Sequence, residues 1–247
     1  MWADGNYVKA GVGIENACVL VVVGVATDGT KHFLALEEGY RESKESWLSV
    51  LRSLRERGMR APALAVADGA LGFWAALPEV WSETQGQRCW FHKAANIFDK
   101  LPHRERPEAA KGLRAIYMAE NRQTAERLLR ALAREWQSPY TKAAECLLKD
   151  VDAGLRFFDY PREHWKHLRT TNPIESVFAS IRLRTDAAKR LRTARSGVHL
   201  IFQLLRRYEK RWLRISAPEK LREVRVPGEA RAVLNRESET AASRAAA

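Results

Sequence analysis

The 247-residue chain is 46% hydrophobic and has only three cysteines, enough apolar material for a packed core and too little sulfur for a disulfide framework, which excludes general disorder and a stapled secreted scaffold. Its longest apolar run, Cys18 to Val25, is strand-sized, well short of the about 18 residues of a membrane helix, and Met1-Trp2-Ala3-Asp4 lacks the basic-then-apolar pattern of a signal peptide, so the expectation is a cytoplasmic protein without membrane contact. The net charge of +12 is uneven, with 8 Lys and Arg against 9 Asp and Glu up to Asp68 but 17 against 7 after Glu175; such a segment attracts a polyanion, most commonly nucleic acid, the bland alternative being a solvated basic face.

In chain order, Tyr7 to Val12 reads as a strand, and Cys18 to Val25 is so uniformly apolar and β-branched that it belongs inside a sheet. Asp28-Gly29 supplies a hairpin turn, and Lys31 to Leu36 returns antiparallel. Trp47, Leu48, Leu51 and Leu54 repeat with helical spacing over Ser43 to Arg57, and Gly58 stops that helix. Ala63 to Ala67 is a fourth strand opened by Pro62, Leu71 to Val80 a helix, and Gln87 to Phe91 a fifth strand. Between Ala94 and Leu148 there is no strand pattern, while Ala125, Leu128, Leu129, Leu132, Ala133 and Trp136 form an amphipathic helical stripe, so residues 99–165 read as an all-helical insertion. Helices are predicted from near Pro173 through Arg184 and from His199 to Leu213, with a weakly ordered tail over residues 216–247. This order predicts an α/β protein with an all-helical insertion: core 1–98, insertion 99–165, core 166–215, then the tail.

Phosphodiester cleavage by two divalent ions needs acidic side chains on different elements. Each acid here also has an ordinary reading. Asp68-Gly69 could be a turn like Asp28-Gly29, Asp4-Gly5 the start of a strand, and Asn172-Pro173-Ile174-Glu175 a helix cap. Cys89 and His92 form a Cys-x-x-His pair that His164-x-x-His167 could complete as a zinc site, although a buried Cys beside a hydrogen-bonded His is commoner. Trp74, Trp90 and Trp165 could stack on flipped bases, although core positions are the commoner fate of such residues.

Four runs decide between these readings together: Trp2-Ala-Asp-Gly-Asn-Tyr-Val-Lys9, Val66-Ala-Asp-Gly-Ala-Leu-Gly-Phe73, Gln87-Arg-Cys-Trp-Phe-His92 with Asn96, and His164-Trp-Lys-His-Leu-Arg-Thr-Thr-Asn-Pro-Ile-Glu-Ser176. In order and spacing they resemble the bacterial mutator-type insertion-sequence transposases, up to about Trp212. The resemblance implies a ribonuclease-H-like fold, a mixed five-stranded sheet with flanking helices interrupted by an all-helical insertion. It also implies a DDE triad of Asp4, Asp68 and Glu175 that binds Mg2+ or Mn2+ and both catalyses hydrolysis to a free 3′-hydroxyl and joins that hydroxyl to target DNA. Cys89, His92, Asn96 and Asn172 belong near that site. Arg169, Arg182, Arg184, Lys189, Arg190, Arg192 and Arg195, which surround and follow Glu175, are expected on the DNA phosphates.

The implied partners are transposon ends and target DNA, with at least a dimer assembled on DNA and association with the nucleoid. Full-length members carry a helical DNA-binding region ahead of the first catalytic strand, so the resemblance further implies an N-terminally truncated chain. Where the family has a basic Lys-Gly-Cys-like stretch after the Glu, Asp186-Ala-Ala-Lys-Arg-Leu-Arg192 departs from it. A nuclease or resolvase that cuts without joining, and a DNA-binding remnant without catalysis, stay open as alternatives.

Overall fold

The computed structural model of the chain describes residues 1–8, 17–39, 42–187 and 194–224; at 6, 8, 17, 39, 182–187, 194, 195 and 197 the backbone alone is described. Strands β1 (Trp2–Val8), β2 (Ala17–Val25), β3 (Lys31–Gly39), β4 (Leu64–Ala67) and β5 (Gln85–Arg88) form one mixed sheet in the order β3-β2-β1-β4-β5. The first three are antiparallel neighbours, and β4 runs parallel to both β1 and β5. The fold is the α/β, ribonuclease-H-like arrangement that the resemblance implies. Gly29, at φ +84, turns the chain between β2 and β3, and a Cβ there would also lie 2.6 Å from the Pro218 Cβ, so only glycine fits.

Both sheet faces are covered. Helix α1 (Lys44–Glu56) and helix α2 (Leu71–Val80) bury Trp47, Leu51, Phe73 and Leu77 against Ala3, Leu20, Val22 and Ala65. On the other face, α9 (Asn172–Ala187) and α10 (Ala194–Glu209) bring Ile174, Phe178, Ile181, Ile201 and Leu205 onto Trp2, Val19, Val21, Val23 and Val66. Burying this many large aliphatic and aromatic side chains, each stabilising by about 1.5–3 kcal/mol, makes the sheet the rigid frame of the molecule.

A second core lies in the helical segment between β5 and α9. There α3 (Trp90–Phe98), α4 (Arg106–Tyr117), α5 (Arg122–Trp136), α6 (Thr141–Leu148) and α7 (Val151–Leu155) enclose Trp90, Ile97, Leu113, Ile116, Leu129 and Leu147. Fully buried Gln87 ties this core to the sheet: its Nε2 donates to the Arg88 and Gly154 carbonyls at 2.7 and 2.9 Å, and its Oε1 accepts the Phe157 N–H at 2.7 Å. Next comes the short helix α8 (Trp165–Leu168).

Two predicted strands are corrected. The first runs Trp2–Val8 rather than Tyr7 to Val12, because pairing of Asp4-Gly5-Asn6 with Val21, Leu20 and Val19 of β2 overrides their poor strand propensity; residues 9–16 lie outside the described residues. The fifth ends at Arg88, and Trp90 begins α3 with Trp90, Lys93 and Ile97 buried at helical spacing. The last helix is Ala194–Glu209, displaced from the predicted His199 to Leu213. In the segment expected as a tail, Pro218–Glu223 forms a 3-10 turn, and Ser216 and Ala217 bond to His167 and His164; residues 225–247 lie outside the described residues. Among the described residues no helix is long and apolar enough to cross a membrane.

Candidate catalytic and metal site

Strand pleating places the two aspartates. Ala3 on β1 is level with Ala67 on β4, and Ala67 with Arg88 on β5, so the next residues stand side by side, Asp4 within β1, which runs on to Val8, and Asp68 and Cys89 just past the ends of β4 and β5. Side chains alternate between faces. Trp2 and Val66 pack beneath α9, so Asp4 and Asp68, two residues further on, point to that same face, and Glu175 stands in the first turn of α9.

The groups converge on His92. One ligand atom each from Asp4, Asp68 and His92 lie within 4.8 Å of one another, and the same is true of Cys89, His92 and Glu175. The imidazole therefore stands between the aspartates and the glutamate. Burial first, then the charges of Asp68, Glu175 and Glu42, pushes Asp4 up to about 7, opposed by His92. The Cys89 side chain, then the charges of Asp4 and Glu175, raises His92 to about 9 against the effect of burial. A face of mutually repelling carboxylates around one imidazolium favours a cation. The three acids offer oxygen donors that could hold a divalent ion, and His92, whose Nδ1 is buried without a hydrogen-bond partner, stands among them as a positive charge rather than as a ligand.

Glu175 and Asp68 are held from behind. The Thr171 hydroxyl donates to Glu175 Oε1 and lies 3.4 Å from the Cys89 sulfur, which accepts the Thr171 N–H at 3.3 Å and stands 3.9 Å from Glu175 Oε1. Asp68 Oδ1 accepts the Ala70 N–H at 2.9 Å, while its main-chain oxygen accepts Trp74 Nε1 and Arg88 Nη1, both at 2.7 Å.

Sequence reasoning missed Glu42, Thr171 and Arg88. The Glu42 carboxyl lies against Gly5, where an added Cβ would come 2.3 Å from Glu42 Cδ; burial and the Asp68 charge raise its pKa. No motif marks it, since it stands alone before the α1 cap, Ser43. Thr171 and Arg88 lie inside quoted motifs, and their polar chemistry beside an acid or a thiol was the available signal.

Other expected residues fall elsewhere. Asn96 is exposed one helical turn beyond His92, and Asn172 is exposed at the start of α9. Arg169 makes internal contacts, with its guanidinium 5.1 Å over the Phe157 ring and Nη1 2.8 Å from the Met118 sulfur. Arg182, Arg184 and Arg195 lie on α9 and α10 with only their backbones described, and Lys189, Arg190 and Arg192 lie outside the described residues. The four-residue zinc site is not formed: Cys89 and His92 meet Glu175, whereas His164 Nε2 lies 3.1 Å from the Ala217 carbonyl and His167 Nε2 3.2 Å from the Ser216 nitrogen. Both histidines, His164 just before α8 and His167 on it, hold the segment at Ser216 and Ala217.

The fold and this site define a ribonuclease-H-like α/β protein with acidic side chains gathered around one histidine. The profile of the family described as "Transposase, Mutator family" matches residues 1–215. The chain is 49% identical over 205 residues to the transposase for insertion sequence element IST2 of Acidithiobacillus ferrooxidans, covering 83% of this chain and 69% of that protein. It is 44% identical over 218 residues to the transposase for insertion sequence element IS6120 of Mycolicibacterium smegmatis, covering 88% and 68%. The chain belongs to the Mutator family of transposases.

Proposed function

We propose that this chain carries the catalytic region of an insertion-sequence transposase, acting on DNA through Asp4, Asp68 and Glu175. The observation that carries the reading is the common row of Ala3 and Ala67, from which both aspartates emerge toward the helix that bears Glu175. The three acids would hold Mg2+ or Mn2+ through oxygen, the donor type those ions prefer. When bound, the ions would neutralise phosphate charge and favour deprotonation of the attacking hydroxyl.

The chain's own residues do the positioning. Buried Asp4 fixes one carboxylate on the central strand, Asp68 is braced by Trp74 and Arg88, and Glu175 is aimed by Thr171. His92 balances charge among the acids. The reactions proposed are in-line displacements at phosphorus, first by water to release a 3′-hydroxyl and then by that hydroxyl on target DNA. The helical segment, residues 99–165, is read as an insertion that packs on Trp90. The basic residues after Glu175 are read as phosphate contacts, and joining two ends calls for at least a dimer on DNA.

Strand transfer tests the reading. The purified chain is incubated with oligonucleotide duplexes bearing free 3′-hydroxyls, a supercoiled plasmid and Mn2+. Joined products that disappear with Asp68→Asn are expected; metal-dependent cutting without joining would identify a nuclease instead.

A further inference from the structure

Phe91 and Leu71 are two of the large apolar side chains left in solvent, 59% and 78% exposed. They follow Cys89 and Asp68 by two and three residues, on the segments that leave the level ends of β5 and β4. The Phe91 ring lies edge-on to the His92 ring at 5.6 Å, and His92 is the residue shared by both clusters of ligand atoms. Burial of Trp90, Lys93 and Ile97 on the opposite face of α3 leaves Phe91 pointing outward. The three tryptophans that sequence reasoning considered for stacking are spent: Trp90 Nε1 binds the Gly154 carbonyl, Trp165 Nε1 the Tyr160 carbonyl and Trp74 Nε1 the Asp68 carbonyl.

We propose that Phe91 is a stacking platform for an unpaired nucleobase at the edge of the acid cluster. The inference rests on the reading that DNA is the substrate. A scissile phosphate brought to Asp4 and Asp68 carries its own base and those of its neighbours to the same rim. Inside a duplex both faces of a base are covered by stacking, so an exposed ring here is useful to a base that has left the helix. An aromatic face accepts any base, which suits a position beside the chemistry better than one that reads sequence.

The test uses the full chain and a single-stranded oligonucleotide made entirely of 5-iodouracil nucleotides, which photo-crosslinks to stacked aromatic rings whatever its register. Binding is measured by fluorescence anisotropy, and the crosslinked peptide is mapped by mass spectrometry. The expected result is a crosslink at Phe91, about tenfold weaker binding and loss of that crosslink in Phe91→Ala, and retention of both in Phe91→Tyr. Equal binding by the unsubstituted chain and Phe91→Ala, or a crosslink mapping elsewhere, overturns the proposal and leaves the transposase reading standing. Failure of the unsubstituted chain to bind overturns both.

Discussion

Arg88 Nη1 donates to the main-chain oxygen of Asp68 at 2.7 Å, across the ends of the parallel strands β4 and β5. Its guanidinium also fills the space beside Gly69, where a Cβ would lie 2.7 Å from Nη2. Arg88 therefore positions Asp68 without itself being an acid of the site. Arg88→Ala is expected to lower apparent Mn2+ affinity about 10- to 100-fold, the usual effect of losing a group that orients a ligand, and Arg88→Lys to recover part of it. Mn2+ titration followed by electron paramagnetic resonance measures this; identical titrations for the three proteins would remove Arg88 from the account.

Thr171 is fully buried, and its hydroxyl holds Glu175 Oε1. A hydrogen bond to a charged group contributes about 1.5–3 kcal/mol. Thr171→Val, which keeps the shape and loses the donor, should slow DNA cleavage about 10- to 100-fold, while Thr171→Ser stays near the unsubstituted rate. Equal rates for the Val and Ser variants would show that Glu175 is aimed by something else.

Gln87 uses both ends of its amide to join the sheet to the helical core. Gln87→Leu leaves the Phe157 N–H and the Arg88 carbonyl without that partner. The expected cost is about 2–4 kcal/mol, read as a lower urea midpoint with an unchanged slope. A midpoint unmoved by the substitution would mean that the helical core is held by apolar packing alone.

The His167 Nε2 accepts the Ser216 N–H at 3.2 Å, so the neutral ring carries its proton on Nδ1. Burial, reinforced by Lys31, Lys166 and His164, brings its pKa down from 6.5 to about 4. The folded state thus favours the neutral ring, and the unfolded chain takes up the proton first as the pH falls. The stability this contributes is fully present above pH 6.5, declines below it and is lost as the pH falls through about 4. Gln keeps an acceptor that does not titrate, so His167→Gln should show a shallower decline in urea midpoint between pH 6.5 and 4. Parallel curves for the two proteins would contradict this assignment.

Much of this architecture is legible in the sequence because the signals are strong and local. The β-branched run at Cys18–Val25 forms a buried interior strand, and the stripe from Ala125 to Trp136 forms a helix. The errors lie where tertiary pairing outweighs propensity. Asp4-Gly5-Asn6 is a poor strand sequence that pairing with β2 nonetheless holds as strand, and Cys89-Trp90-Phe91 is apolar like a strand yet opens a helix. Of the residues gathered around His92, Asp4, Asp68, Cys89 and Glu175 stand in motifs that the sequence displays. Glu42 stands in none, and its approach depends on a side chain folding back over Gly5, which no linear spacing encodes. Arg169 looked like a phosphate ligand from its charge, but its surroundings, Phe157 and Met118, come from distant parts of the chain.

The most direct test of the central claim is metal-dependent cleavage of branched and linear DNA by the purified chain in Mg2+ or Mn2+, beside Asp4→Asn, Asp68→Asn and Glu175→Gln. Each substitution keeps the side-chain volume and removes a charge. The account predicts cleavage by the unsubstituted chain and its loss, with folding retained, in all three variants. Cleavage that survives any one of them would contradict the assignment of Asp4, Asp68 and Glu175 as a single catalytic centre.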